Sequence, residues 1–184
     1  IVDIQACYLQ EEPVNEIRNW VRTYALSNAY PFYNIRAHEG WLRNLVFRLC
    51  TTGELMVNLV LGYNDETERV KMLGDMLKAF PQITSLYYTI NPKFNDSIHD
   101  LEPVLHYGKP YVTEKLGPLY FRIGPKSFFQ TNTQQAEKLY EVTKSFAGLT
   151  GSETVYDLYC GTGSIGLYVS DLAAKVIGVE MIEA

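Results

Sequence analysis

The 184-residue sequence predicts an α/β fold: an α+β layer followed by the first β-α-β of a Rossmann-like domain. Three observations predict it. Helix-period runs alternate with runs of β-branched and aromatic residues through the first two thirds of the chain. "WLRNLVFRLC" and "ELMVNLVLGY" flank the short stretch "TTG", with Gly53 placed for a hairpin turn. The pattern then changes, and "TVYDLYC", "SIGLYVSDLAA" and "KVIGVEM" read as strand, helix and strand around a glycine-rich turn.

The elements follow in order. "PVNEIRNWVRTYALSN" sets Val14, Ile17, Val21 and Tyr24 at helical spacing behind Pro13. After the hairpin, "DETERVKMLGDMLKAF" has acids in its first turn and stops before Pro81, a second helix. "ITSLYYTIN" is a strand by its β-branched and aromatic content. "YVTEKLGPLYFRIG" reads as another hairpin turning at Gly117-Pro118. The expected order is α-β-β-α-β-β-β, antiparallel strands covered by two helices. "NTQQAEKLYEVTKSFAG" is then a helix, with Asn132 capping it toward Gln135 and Gly148 at its exit. The domain boundary is expected within 124–132, giving a central domain of 1–125 and a Rossmann-like part of 126–184.

Composition narrows the function. The chain is 47% hydrophobic and 20% charged, without a run long enough to span a membrane or a signal-peptide pattern at its start. Cys7, Cys50 and Cys160 share no CxxC spacing, which argues against a zinc site or disulfide framework and fits a reducing cytoplasm. A cytoplasmic location with no membrane partner is the expectation. The net charge of -5 disfavours non-specific nucleic-acid binding, but it is uneven. Residues 109–138 carry five bases against two acids, whereas residues 148–184 carry five acids against Lys175 alone. The chain starts without Met and stops directly after a strand-like run, so it is expected to be a piece of a longer protein.

The chemistry concentrates in "DLYCGTGSIG", where Gly161, Gly163 and Gly166 have G-x-G-x-x-G spacing between strand and helix. Glu180 follows Gly161 by 19 residues, at the end of the next strand, where a ribose-binding acid belongs in such folds. Asp157 stands just ahead of the loop and opposes a pyrophosphate, since two unit charges a few Å apart interact by about 1–4 kcal/mol at surface-like dielectrics. S-adenosylmethionine carries an ammonium and a sulfonium and no phosphate, so the acid favours it over a dinucleotide. Asp157 can equally cap backbone N–H groups of the turn. An NAD-dependent oxidoreductase is the rival reading of the loop. Cys160 invites a reading as a nucleophile, but a cysteine inside a glycine loop is more often a small packing residue.

Three segments resemble the RNA (uracil-5-)-methyltransferases, and the ribosomal-RNA type in particular: "DLYCGTGSIGLYVS" with "VIGVE", "GPKSFFQTNTQQAEKLY", and "YNIRAHEGWLRNLVFR". The Phe-Phe-Gln-x-Asn run before the helix is the most specific of them. The resemblance implies a methyltransferase acting on uridine C5 of RNA with S-adenosyl-L-methionine, and Gln130, Tyr159 and Glu180 as its contacts. Asp157, Gly161, Gly163 and Ser164 complete the implied cofactor set. In the family a cysteine thiolate adds to uracil C6 and a base later removes the C5 proton. No residue of this chain matches either group, so the chain by itself is expected to be inactive. The family's N-terminal RNA-binding barrel and iron–sulfur cysteines have no counterpart in this sequence. Ribosomal RNA is the expected partner, with transfer RNA as the alternative and a non-catalytic RNA-binding module as a reading of another class.

Arg36, Arg43, Arg48, Arg122 and Lys126 are the candidate RNA contacts, with His38 beside them. Pairing of these arginines with local acids such as Glu39 is an equal alternative. Arg43 and Arg48 are an odd number of residues apart, so on a regular strand they point to opposite faces unless a bulge intervenes. An exposed strand edge also predicts an edge-to-edge dimer of the piece.

Overall fold

The elements in chain order are α1 (Val14–Ser27), β1 (Leu42–Leu49), β2 (Leu55–Leu61), α2 (Glu66–Ala79), β3 (Ser85–Ile90), β4 (Val104–Gly108), β5 (Val112–Leu116), β6 (Leu119–Ile123), α3 (Thr133–Ala147), β7 (Thr154–Leu158), α4 (Ser164–Tyr168) and β8 (Lys175–Val179). The computed structural model describes residues 4–181. They form two compact units, one ending at Leu49 and resuming over Gly53–Val112, the other comprising Cys50–Thr52 and the chain from Thr113 onward. The 125/126 boundary was expected where strands give way to helices. The units part earlier, because the β5–β6 hairpin is hydrogen-bonded to the start of α3 through Glu114 and Thr133.

The first unit is a four-stranded sheet in the order β1-β2-β3-β4. β1 and β2 are antiparallel across a turn in which Gly53 adopts φ 83°, as the hairpin pattern predicts. β2 and β3 run parallel, which corrects the expected antiparallel layer. The reason lies between them. α2 is a crossover long enough to carry the chain back to the same end of the sheet, so the segment is a β-α-β unit. β2 is buried at every position, as a central strand flanked on both sides must be. β4 pairs antiparallel with β3 and was not anticipated; it is a short, mostly exposed edge strand without clear alternation.

Ile17, Val21 and Ala25 of α1 and Met72, Leu73 and Met76 of α2 join Val57, Leu59, Leu61 and Leu86 in one core. The Asp65 side chain accepts from Glu68 N at 3.1 Å and caps α2, satisfying one of the helix's four orphan donors.

In the second unit, Asn132 Oδ1 accepts from Gln135 N at 3.0 Å and Gly148 closes α3 at φ 56°, both as the sequence predicts. β7 and β8 are parallel, from Thr154 opposite Lys175 to Leu158 opposite Val179. α4 is shorter than its pattern implies and gives way to a 3-10 turn over Ser170–Leu172, where Ser170 Oγ donates back to Leu167 O at 2.7 Å. Among the described residues no helix is long and apolar enough to cross a membrane.

Candidate functional site

The glycine-rich loop leaves β7 through three left-handed residues: Tyr159 at φ 58°, Gly161 at 53° and Gly163 at 71°. Glycine takes such angles at no steric cost, whereas tyrosine carries strain there. Cys160 N donates to Val179 O at 3.1 Å, holding the loop against the end of β8, and Gly163 N donates to Cys160 O at 2.7 Å. The Cys160 sulfur sits where a Cβ on Gly178 would come within 3.0 Å, so this cysteine fills the gap between loop and strand. The third glycine allows close packing of helix on strand. A Cβ on Gly166 would lie 2.7 Å from Asp157 Oδ2 and 3.1 Å from Val176 Cγ1.

Asp157 Oδ2 accepts the backbone N–H of Gly166 at 2.8 Å. Of the two roles open to this carboxylate from sequence, the structure shows the backbone one. It faces α4 and is not part of the neighbouring cleft.

That cleft has a volume of about 220 Å³ and lies at the carboxyl ends of β7 and β8, lined by Leu158, Tyr159, Val179, Glu180 and Met181. Ligands of parallel α/β sheets bind at this end of the strands. Glu180 Oε2 accepts from Gly161 N at 2.8 Å, and Oε1 accepts from Met181 N at 2.9 Å. The carboxylate thus ties the loop to the end of β8 at the rim of the cleft. Tyr159 is 89% exposed and offers its ring to the cleft. Among the described residues the lining thus has one acid, an aromatic face, two apolar side chains and a thioether.

Gln130 is exposed and does not line this cleft. Beside it, Phe129 is buried against Phe121 with ring centroids 5.4 Å apart, while Phe128 is 74% exposed. Ser164 Oγ lies 3.0 Å from the Tyr140 hydroxyl, which couples the first residue of α4 to α3. Two further links tie α3 to α4 and to the turn after it: Tyr168 OH donates to Glu141 at 2.6 Å, and Lys144 pairs with Asp171 at 2.7 Å. Burial and the Glu141 carboxylate push the Tyr168 hydroxyl well above its ordinary pKa. Sequence reasoning missed these tyrosines, although their spacing on apolar helix faces was a usable signal. It also missed Leu158 and Val179, which could have been found as the last residues of two parallel strands, and Met181 just beyond the second.

The candidate RNA-binding side chains divide between the units. A bulge does intervene in β1, between Leu42 and Asn44, and it re-aims Arg43. Its side chain is 1% exposed, donates to Asn91 O at 2.7 Å and Asn95 O at 3.1 Å, pairs with Asp96 at 3.0 Å, and stacks over Tyr33. This guanidinium holds the 91–96 loop and is not available to a phosphate, which corrects its place among the candidates. Arg48 is half-buried, whereas Arg36, Arg122 and Lys126 are exposed. His38 adopts φ 57° and stacks on Phe94 at 4.3 Å.

The chain is 46% identical over 185 residues to an uncharacterized RNA methyltransferase of Bacteroides thetaiotaomicron, covering 99% of the chain and 41% of that protein. A protein of the same description from Porphyromonas gingivalis matches at 46% over 184 residues, covering 99% of the chain and 40% of its own length. Throughout, this chain is similar to part of an RNA methyltransferase. It spans about two fifths of the length of these curated relatives. Its fold matches the crystal structure of Pyrococcus abyssi tRNA (uracil-54, C5)-methyltransferase in complex with S-adenosyl-L-homocysteine, with a TM-score of 0.78 and 27% identity. That match covers 99% of this chain and 44% of the Pyrococcus chain. No family model matches the sequence.

Proposed function

We propose that the protein carrying this chain methylates C5 of uridine in RNA, with S-adenosyl-L-methionine held at the carboxyl ends of β7 and β8. The fold match to the Pyrococcus enzyme supports the uracil assignment. The Pyrococcus complex with S-adenosyl-L-homocysteine supports the cofactor, and the cleft with Glu180 and Tyr159 in its lining is where such a ligand would sit. Against a dinucleotide, α4, with five residues, is too short to offer the helix dipole that a pyrophosphate uses.

Within this reading the roles follow from the geometry. Glu180 accepts from ribose hydroxyls at the rim of the cleft, and Tyr159 presents an aromatic face. Gly161 and Gly163 let backbone approach the ligand, and Asp157 pins the loop to α4. Gln130 and Ser164 complete the set by resemblance. When bound, the cofactor supplies an electrophilic methyl group. Arg36, Arg48, Arg122 and Lys126 remain the proposed RNA contacts. Ribosomal RNA is the substrate to which the sequence resemblance points, and the Pyrococcus neighbour favours the transfer-RNA alternative.

The test uses the full-length protein. Calorimetric titration should show binding of S-adenosylhomocysteine and none of NAD. Glu180→Gln should weaken that binding by roughly tenfold to a hundredfold, the loss of a charge-assisted hydrogen bond. Methylation of ribosomal and transfer RNA transcripts tritiated at uridine C5 should release tritium to water. Methyl transfer with tritium retained sinks the C5 assignment, and NAD binding in preference to S-adenosylhomocysteine sinks the cofactor assignment.

A further inference from the structure

We infer that Glu114 is a positioning residue that sets the start of α3, and with it the segment 128–132, against the glycine loop. Glu114 is 4% exposed on β5, and its carboxylate is satisfied by N–H and O–H groups. Oε1 accepts from Thr51 N at 3.0 Å, from Lys115 N at 2.8 Å and from the Thr51 hydroxyl. Oε2 accepts from the Thr133 hydroxyl at 3.0 Å. A buried carboxylate is costly unless its oxygens are saturated with donors, so this cage tolerates little displacement.

Its reach makes it more than local cohesion. Thr133 is the first residue of α3, one position after the Asn132 cap and directly behind "FFQTN". Farther along the same helix, Tyr140 meets Ser164, Glu141 meets Tyr168 and Lys144 meets Asp171. α3 is therefore a strut, clamped by Glu114 at its start and tied to α4 and the turn after it along its length. Moving the Glu114 end displaces residues 128–132 relative to the loop that carries Gly161 and Gly163. The inference rests on the cofactor reading above, in which Gln130 and the loop bind one ligand.

Glu114→Gln places an N–H₂ among donors and is expected to impair folding, so isosteric changes to its partners carry the test. In the full-length protein, Thr133→Val removes the bond to α3, and Thr51→Val removes a hydroxyl bond that does not reach it. Both should lower the melting temperature. Thr133→Val alone should weaken S-adenosylhomocysteine binding severalfold, because the displaced 128–132 segment then meets the ligand poorly, and Thr133→Ser should restore it. Equal melting shifts with unchanged affinity in both valine variants would reduce Glu114 to cohesion and overturn the inference alone. Absence of ligand binding by the unmodified protein overturns the cofactor reading and takes this inference with it.

Discussion

β2 and β7 are both apolar strands, yet β2 is buried at every residue while β7 alternates between exposed and half-buried. β2 lies between β1 and β3 with helical side chains over one face. Among the described residues β7 pairs with β8, and α4 contacts both strands. Tyr156 and Leu158 of β7 consequently stand 63% and 62% exposed. The difference teaches where each unit spends its apolar residues. In the first the central strand fills the core. In the second Leu158 and Val179 line the open end of a sheet, beside a strained tyrosine and a carboxylate, and Leu116, Phe121, Ile123, Phe129 and Tyr140 are buried instead.

The largest expected effect breaks the comparison at its centre. Leu59→Ala removes a 1%-exposed side chain from the core and should cost about 2–5 kcal/mol in urea unfolding, whereas Leu158→Ala should cost less than about 1 kcal/mol. Equal losses would mean that β7 is buried in solution. Next comes Gly166→Ala, which drives a methyl group into Asp157 and Val176. Overpacking of this kind costs about 1–3 kcal/mol. The same substitution should weaken S-adenosylhomocysteine, because the loop shifts with the helix.

A smaller and opposite pair of effects is expected at Tyr159. Relieving its left-handed backbone with Tyr159→Gly offsets strain of about 1 kcal/mol against the entropy of glycine, so stability should hold or rise slightly. Ligand affinity should fall with the lost ring. A stability loss without any change in affinity would assign the ring a packing role.

The smallest effect is a pH dependence in the turn before β7. The Thr150 hydroxyl, at 2.6 Å, and the Thr150 backbone N–H hold the exposed Glu153 carboxyl at about 2. A carboxyl held below its ordinary value stabilises the fold above that value, and the contribution is lost as pH falls from about 4.5 toward 2. Thr150→Ala should flatten the acid limb of melting temperature against pH over that window while leaving neutral-pH activity unchanged. An acid limb identical to that of the unmodified protein would show that the turn is held by other contacts.

What the sequence determined alone is local. α1 and α2 follow from helical spacing, the β1–β2 hairpin from Gly53, and the limits of α3 from Asn132 and Gly148. The three glycines and Glu180 likewise marked the cleft's loop, because caps, turns and periodicity depend on residues a few positions apart. The tertiary structure decided what depends on distant partners. It made β2 and β3 parallel and joined the β5–β6 hairpin to the second unit. It turned Asp157 toward an N–H nine residues away and aimed Arg43 at carbonyls from Asn91 onward. Glu114 reads as one more strand acid until Thr51 and Thr133 close around it. A side chain's direction is set by the donors and acceptors that folding brings to it, and no local pattern names them.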